Sequence, residues 1–131
     1  MIALDTNVLV RFLVEDDERQ SLRAKKFIEK ALDENERLFV PDMVVVETVW
    51  VLKRSYGFGK KAITRILRML LAARNLSFES SESLAKTIAS YEEGRGGFSD
   101  YLIREVALEH DCESVVTFDR VLHKESGFGK P

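Results

Sequence analysis

The chain has 131 residues, of which 45% are hydrophobic, and a formal net charge of −2. This length predicts one domain, residues 1–131, that folds without a disulfide or structural metal, and the single cysteine excludes an internal disulfide. The net charge argues against a basic protein that coats nucleic acid without specificity, but it is compatible with an enzyme that has an acidic centre. No apolar run reaches the ~20 residues of a membrane span.

The amino-terminal part of the chain alternates apolar runs with helical patterns. Residues 1–5 predict a buried strand, and because they lack a basic n-region we expect no signal peptide and a cytoplasmic protein. Apolar residues at helical spacing predict a helix over 7–14 and an amphipathic helix of about 17 residues after Asp16. Leu38 to Val40 predicts a second strand, which Pro41 ends.

The middle of the chain contains one ambiguous segment. Residues 42–55 are rich in β-branched side chains, which favour a strand. The length of the segment and Asp42 as a possible N-cap favour a helix, and we predict a helix. A second helix follows over 60–73, and 76–78 predicts a third strand.

The carboxyl-terminal part continues the alternation. It predicts a helix over 81–93, a helix over 100–111 with Ser99 as N-cap, a strand at 115–117 and a loose tail from 123 to 131. Short strands alternating with helices predict an α/β fold of three layers (α/β/α) around a central parallel sheet of four to five short strands.

Four acidic residues each end or interrupt an apolar segment: Asp5, Glu47, Asp100 and Asp119. Ligands of parallel sheets bind beyond the carboxyl ends of the strands, where Asp5 and Asp119 both lie, so these carboxylates would meet if their strands are adjacent. Carboxylates without nearby His or Cys suit Mg²⁺ or Mn²⁺. The pattern therefore predicts metal-assisted phosphodiester chemistry.

Each acid also has a simpler interpretation. Asp5 could cap the next helix, Asp100 could stabilise a helix through its position in the first turn, and Asp119 could belong to an ordinary turn. Glu47 could be solvated, but its apolar neighbours predict burial, which would require a compensating partner such as an arginine or a metal ion. The joint placement of the four carries the functional prediction.

Four segments resemble the PIN-domain ribonucleases, and among them the VapC-type toxins of toxin–antitoxin pairs: Leu4-Asp5-Thr6-Asn7, Glu47 in an apolar helix, Ser99 to Ile103, and Val116 to Arg120. The resemblance covers residues 1 to about 123. It implies a toxin that cleaves RNA with Mg²⁺ or Mn²⁺, forms a homodimer and binds a cognate antitoxin. Two features depart from the family pattern: Val121-Leu122 follow the Asp-Arg pair, and residues 127–131 are too short and polar to predict a fifth strand.

The resemblance also implies roles for individual residues. The catalytic acids would be Asp5, Glu47, Asp100 and Asp119; the metal ligands would be Asp5, Asp100 and Asp119; and the polar supports would be Thr6, Asn7 and Thr117. Whether Glu47 binds metal or acts as a base stays open.

Basic residues near these acids are candidates for RNA contacts. Lys61, Arg65 and Arg68 share one helical face, which is either a rim that contacts phosphates or a solvated surface. Arg11 and Arg104 are nearer to the acids in sequence, and either could pair with a carboxylate.

Two other functions compete with a toxin ribonuclease. One is a housekeeping nuclease of the same fold, acting in RNA processing or on DNA structures. The other is a small Mg²⁺-dependent phosphotransfer or phosphatase domain. A haloacid-dehalogenase-like phosphatase needs a second Asp where Asn7 stands, and a receiver domain needs an acidic pair near its first strand, from which Asp16-Asp17 is distant. The sequence leaves the RNA target open.

Overall fold

A computed structural model describes all residues, 1–131. The chain forms two compact units, Met1–Glu79 and Ser80–Pro131. None of the helices combines the length and the apolar composition that a membrane-spanning helix requires.

The first unit contains a parallel three-stranded sheet in the order β1-β2-β3, formed by β1 (Ile2–Ala3), β2 (Leu38–Val40) and β3 (Leu76–Phe78). Leu38 and Val40 of the central strand are fully buried. Helices connect these parallel strands along the chain, which confirms the α/β class. The prediction of a buried strand over residues 1–5 is wrong, because β1 has only two residues and both are exposed, whereas Leu4 is buried.

Four helices complete the first unit: α1 (Thr6–Leu13), α2 (Glu18–Asp33), α3 (Asp42–Arg54) and α4 (Lys60–Ala72). The helix prediction for the β-branched segment is confirmed, because Val45, Val49 and Leu52 are buried at helical spacing. Burial of one helix face outweighs the local preference for strand. Asp42 is the first residue of α3, however, and Pro41 occupies the cap position, so the N-cap assignment is wrong.

The second unit contains two helices, two strands and one 3₁₀ turn: α5 (Ser81–Glu93), α6 (Phe98–Glu109), β4 (Val115–Val116), the turn at Leu122–Lys124 and β5 (Phe128–Gly129). Helix α6 begins two residues earlier than predicted. Its N-cap is Gly97 instead of Ser99, because the carboxylate of Asp100 accepts a hydrogen bond from the Gly97 N–H at 2.9 Å.

The expectation of a loose tail is wrong. Strand β5 pairs in parallel with β4, with Val115 beside Phe128. The guanidinium of Arg104 lies over the rings of Tyr101 and Phe128, at 5.2 and 5.6 Å, and donates to the Ser126 carbonyl at 3.1 Å. The five strands form a three-stranded and a two-stranded sheet, so the prediction of one central sheet of four to five strands fits only roughly.

The hydroxyl of Tyr101 fastens the loop before α6 to the carboxyl-terminal segment. It accepts a hydrogen bond from the Gly96 N–H at 2.9 Å and donates to Glu125 at 2.6 Å. Burial, and then the bond to Glu125, raise the pKa of Tyr101 above its usual value. The hydroxyl therefore stays protonated at neutral pH and remains a donor.

Gly94 lies against this hydroxyl, and a Cβ at Gly94 would overlap it. We expect Gly94→Ala to lower the free energy of unfolding by about 1–3 kcal/mol, the cost of overpacking a buried site. Gly129→Ala is the control, since its Cβ would lie 3.7 Å from the Ser114 hydroxyl, an ordinary contact. Urea unfolding of both variants measures the difference, and equal stabilities would contradict the role of Tyr101.

Candidate functional site

Thr6 connects two of the four acidic residues. The Asp5 side chain accepts a hydrogen bond from the Thr6 N–H at 2.7 Å and caps α1. The Thr6 hydroxyl donates to Glu47 Oε2 of α3 at 3.2 Å. Asp5 is therefore a helix cap, as the simpler interpretation proposed. The same arrangement also leaves Asp5 and Glu47 hydrogen-bonded to one shared residue, Thr6.

Both carboxylates line an open cavity of about 320 Å³ within the first unit. The cavity is lined by Asp5, Thr6, Asn7, Val10, Arg11, Glu47, Val51 and Tyr56. Asn7 is exposed and lines the cavity, and its role as a polar support stays a prediction.

Glu47 is exposed, which overturns the argument that it is buried and must be compensated. The buried side of α3 is formed by its neighbours Thr48 and Val49, so the apolar flanks describe the helix and not this position. Its hydrogen-bond partner in the protein is the Thr6 hydroxyl, and no arginine pairs with it.

Asp100 and Asp119 belong to the second unit, and each is held by backbone. Asp100 lies in the first turn of α6, bonded to the Gly97 N–H. Asp119 is exposed, and its Oδ1 accepts from the Val121 N–H at 2.9 Å, which makes a local turn. The Thr117 hydroxyl accepts from the Asp119 N–H at 3.0 Å, so this threonine contacts the backbone of Asp119 instead of its carboxylate.

The donor set at the cavity consists of oxygen atoms. Asp5 and Glu47 supply carboxylates, Thr6 a hydroxyl and Asn7 an amide oxygen, which together suit a hard divalent cation such as Mg²⁺ or Mn²⁺. Within either unit, no three His, Cys, Asp or Glu side chains gather in a way that could hold a metal ion. Two carboxylates at one cavity are therefore what the first unit supplies to such an ion.

A polar cluster beside these acids was not predicted from the sequence. Arg11 donates through Nη1 to Asp16 at 2.7 Å and through Nε to Gln20 at 2.7 Å, and the Tyr56 hydroxyl donates to Asp16 at 2.6 Å. The bond from Tyr56, followed by the attraction of Arg11, holds the pKa of Asp16 below its usual value. In the sequence Asp16 is recognisable only as an acid near a helix start, and Asp17 is the residue that caps α2.

The predicted basic residues Lys61, Arg65 and Arg68 are exposed on α4. The buried face of that helix contains Ile63 and Leu67, on its other side. Contact of the three basic residues with RNA stays a prediction.

The two arginines nearer to the acids do pair with carboxylates, but with none of the four. Arg11 pairs with Asp16. Arg104 is buried and lies 3.5 Å from Glu105, measured from Nε to Oε2.

The family model described as PIN domain matches residues 2–126. The chain therefore belongs to the PIN domain family, and the resemblance seen in its acidic motifs is confirmed. It is also similar to a protein named VapC ribonuclease from Aquifex aeolicus (strain VF5). The two are 29% identical over 124 residues, which cover 95% of this chain and 91% of that protein.

The capping geometry of Asp5 allows its structural and chemical roles to be separated. Asn also accepts a hydrogen bond at an N-cap, so Asp5→Asn should leave the free energy of unfolding in chelator nearly unchanged. Asp5→Ala loses the cap and should lower that free energy by about 0.5–2 kcal/mol. Urea titration in EDTA compares the two variants. Equal losses would mean that the charge of Asp5 is itself structural.

Proposed function

We propose that this protein is an endoribonuclease that depends on Mg²⁺ or Mn²⁺ and serves as the toxin of a toxin–antitoxin pair. One observation carries the proposal: Asp5 and Glu47, joined through Thr6, line a single cavity in a member of the PIN domain family. The similarity to a protein named VapC ribonuclease supports the choice of RNA as substrate.

Four carboxylates are proposed to carry the chemistry: Asp5, Glu47, Asp100 and Asp119. Asp5, Asp100 and Asp119 are the proposed metal ligands, on the strength of the family motifs they occupy. A bound divalent cation lowers the pKa of a water molecule and stabilises charge on the phosphate and the leaving oxygen.

The residues of the chain prepare this chemistry by orientation. The Thr6 hydroxyl holds Oε2 of Glu47, which leaves Oε1 to bind a ligand or to take a proton from the attacking water. The Thr6 N–H holds Oδ1 of Asp5 and leaves its Oδ2 without a partner in the protein. Asn7 and Thr117 are proposed as further polar supports of the site. In the reaction, water adds to phosphorus, and the bond from phosphorus to the leaving oxygen breaks.

Removal of the metal should abolish RNA cleavage, and loss of one acid should slow it strongly. EDTA should stop the reaction, and Asp5→Asn or Asp100→Asn should slow it by more than about 100-fold, since loss of an outer partner alone has effects of 10- to 100-fold. Cleavage of a labelled RNA, with Mg²⁺ titrated back after chelation, measures both effects.

Asp17→Asn is the matched control for Asp5→Asn. Asp17 also caps a helix, with its carboxylate 3.0 Å from the Gln20 N–H, but it does not line the cavity. This variant should cleave at the parent rate. Full activity in EDTA, or equal loss in the two variants, would contradict the metal mechanism.

A toxin and a housekeeping nuclease of the same family differ in their partners. We propose a cognate antitoxin, encoded by a small neighbouring reading frame, as the protein partner. If the protein is a toxin, its expression should arrest growth, and co-expression of that neighbour should restore growth. Growth unaffected by the protein would favour a role in RNA processing.

Self-association and location complete the proposal. Met43 and Trp50 on α3 are 67% and 58% exposed, seven residues apart and so on one side of the helix. Such large apolar side chains support a homodimer contact. We propose a cytoplasmic location, because the exposed free thiol of Cys112 fits a reducing compartment and the proposed RNA substrate is present there.

The basic residues of α4 are proposed to bind RNA phosphates. Changing Lys61, Arg65 and Arg68 together to Ala should weaken RNA binding and make it less dependent on salt. In a plot of the logarithm of the binding constant against the logarithm of the salt concentration, the slope should become less steep by about 0.7 for each phosphate of a single strand that is no longer neutralised. Metal affinity should stay unchanged, because these residues supply no carboxylate. Fluorescence anisotropy at several salt concentrations measures the slope.

The control removes three exposed charges from α2 instead: Arg19, Lys26 and Lys30. This control changes the net charge equally, so it separates a local contact from the total charge of the protein. If both triple variants change the slope equally, α4 has no special role.

A further inference from the structure

The guanidinium of Arg11 is held on one side only. Its Nη1 donates to Asp16 at 2.7 Å and reaches the Tyr56 hydroxyl at 3.3 Å, and its Nε donates to Gln20 at 2.7 Å. These contacts use three of the five N–H groups of the side chain. Both N–H groups of Nη2 lack a partner within the protein.

The partners of Arg11 are themselves fixed. The second oxygen of Asp16 accepts the Tyr56 hydroxyl at 2.6 Å, so this carboxylate cannot turn to receive Nη2 as well. That same bond raises the pKa of Tyr56, which keeps the hydroxyl protonated and donating. Asp16 and Tyr56 lie 40 residues apart in sequence, so the cluster joins the loop after α3 to the loop before α2. The guanidinium is thereby oriented before any ligand arrives.

Arg11 is also the one cationic residue among those that line the cavity of Asp5 and Glu47. Asp5 caps the start of α1, and Arg11 lies in its last turn. Six residues of helix separate them by about 9 Å along the axis. A chain of phosphates that meets the acids at the start of α1 would therefore meet a positive charge further along the same helix.

A purely structural role accounts for only part of this arrangement. The side chains of Arg11 and Asp16 are 29% and 44% exposed, and ion pairs at such exposure contribute little to stability. If the role of Arg11 were only structural, the two unpaired N–H groups of Nη2 would contribute nothing to it. The two free N–H groups of Nη2 are oriented donors on a permanent positive charge, and either can donate to an oxygen of a phosphate.

We propose that Arg11 binds a backbone phosphate of the RNA beside the one that is cleaved, and that Asp16, Gln20 and Tyr56 position its guanidinium for that contact. This inference rests on the proposed ribonuclease function and assigns part of its substrate recognition. Arg11 then offsets the repulsion between the acids and the RNA, and fixes the RNA backbone relative to them.

The test uses a fluorescein-labelled single-stranded RNA that the protein cleaves, and a set of copies in which one phosphate at a time is an uncharged methylphosphonate. Binding is measured by anisotropy with Asp119→Asn in all proteins, to suppress cleavage. One replacement near the cleaved bond should weaken binding by about 10- to 100-fold, the value of a hydrogen bond to a charged group.

The decisive measurement combines this scan with a change of Arg11. Arg11→Gln should weaken binding of the unmodified RNA by a similar factor. Replacing the phosphate that Arg11 contacts should then cause no further loss of affinity in this variant. Tyr56→Phe should reduce the penalty at the same position and at no other. Arg19→Gln, an exposed arginine outside the cavity, should keep the parent profile.

If Arg11→Gln showed the same binding penalty as the parent protein at every phosphate position, the inference would be overturned. This holds whether or not the substitution changes the thermal stability of the protein. Arg11→Lys keeps a positive charge and serves as the second variant if the Gln variant does not fold. In Arg11→Lys the penalty at the same position should shrink, since a flexible ammonium is not held in place by Asp16, Gln20 and Tyr56 as the planar guanidinium is. The proposed function is tested separately by cleavage with Mg²⁺. A chain that cuts RNA but fails the scan retains that function without this contact, whereas a chain that cuts no RNA loses both.

Discussion

Two hydrogen bonds made by Thr6 hold the candidate site of the first unit together. The backbone N–H fixes Asp5 at the start of α1, and the hydroxyl fixes Glu47 on α3, 41 residues further along the chain. Thr6 is itself buried, 8% exposed, so its position is set by the packing of α1. Two negative charges are thereby brought to one cavity, and the cost of placing them together is reduced by open solvent and by donors aimed at them.

Three of the acids that are proposed to carry the chemistry also have structural roles. Asp5 caps α1, Asp100 holds the Gly97 N–H at the start of α6, and Asp119 closes a turn through the Val121 N–H. In each case one carboxylate oxygen bonds to the backbone and the other has no partner in the protein. A carboxylate anchored in this way has lost much of its rotational freedom before it meets a ligand. The structural and functional interpretations of these acids are therefore compatible.

Charge around the first cavity is balanced asymmetrically. Asp5 and Glu47 have no cationic partner, whereas Arg11 is paired with Asp16, an acid that does not line the cavity. If Arg11 paired with Asp5 or Glu47 instead, it would neutralise the site that is proposed to attract a metal ion. The cluster with Asp16, Gln20 and Tyr56 keeps the two kinds of charge at one cavity without direct contact between them.

Local patterns in the sequence were enough to predict the helices, the approximate strands of the first sheet and the family. These features depend on periodicity and on short motifs, which are encoded within a few neighbouring residues. Even the β-branched segment of α3 was predictable as a helix from its length, although the N-cap proposed for it was wrong. The exact starts of α3 and α6 were not predictable, because a cap depends on which of several adjacent residues bonds to the backbone.

Which side chains meet is settled by the packing of distant segments. Glu47 is exposed despite its apolar neighbours, because the orientation of α3 determines which of its faces is covered. Strand β5 forms in a short glycine-bearing segment because β4 offers it backbone partners, with Arg104 packed against Phe128. The Arg11 cluster joins residues 5, 9 and 45 positions away from it. Such contacts depend on how the chain returns on itself, and no local pattern of residue types contains that information.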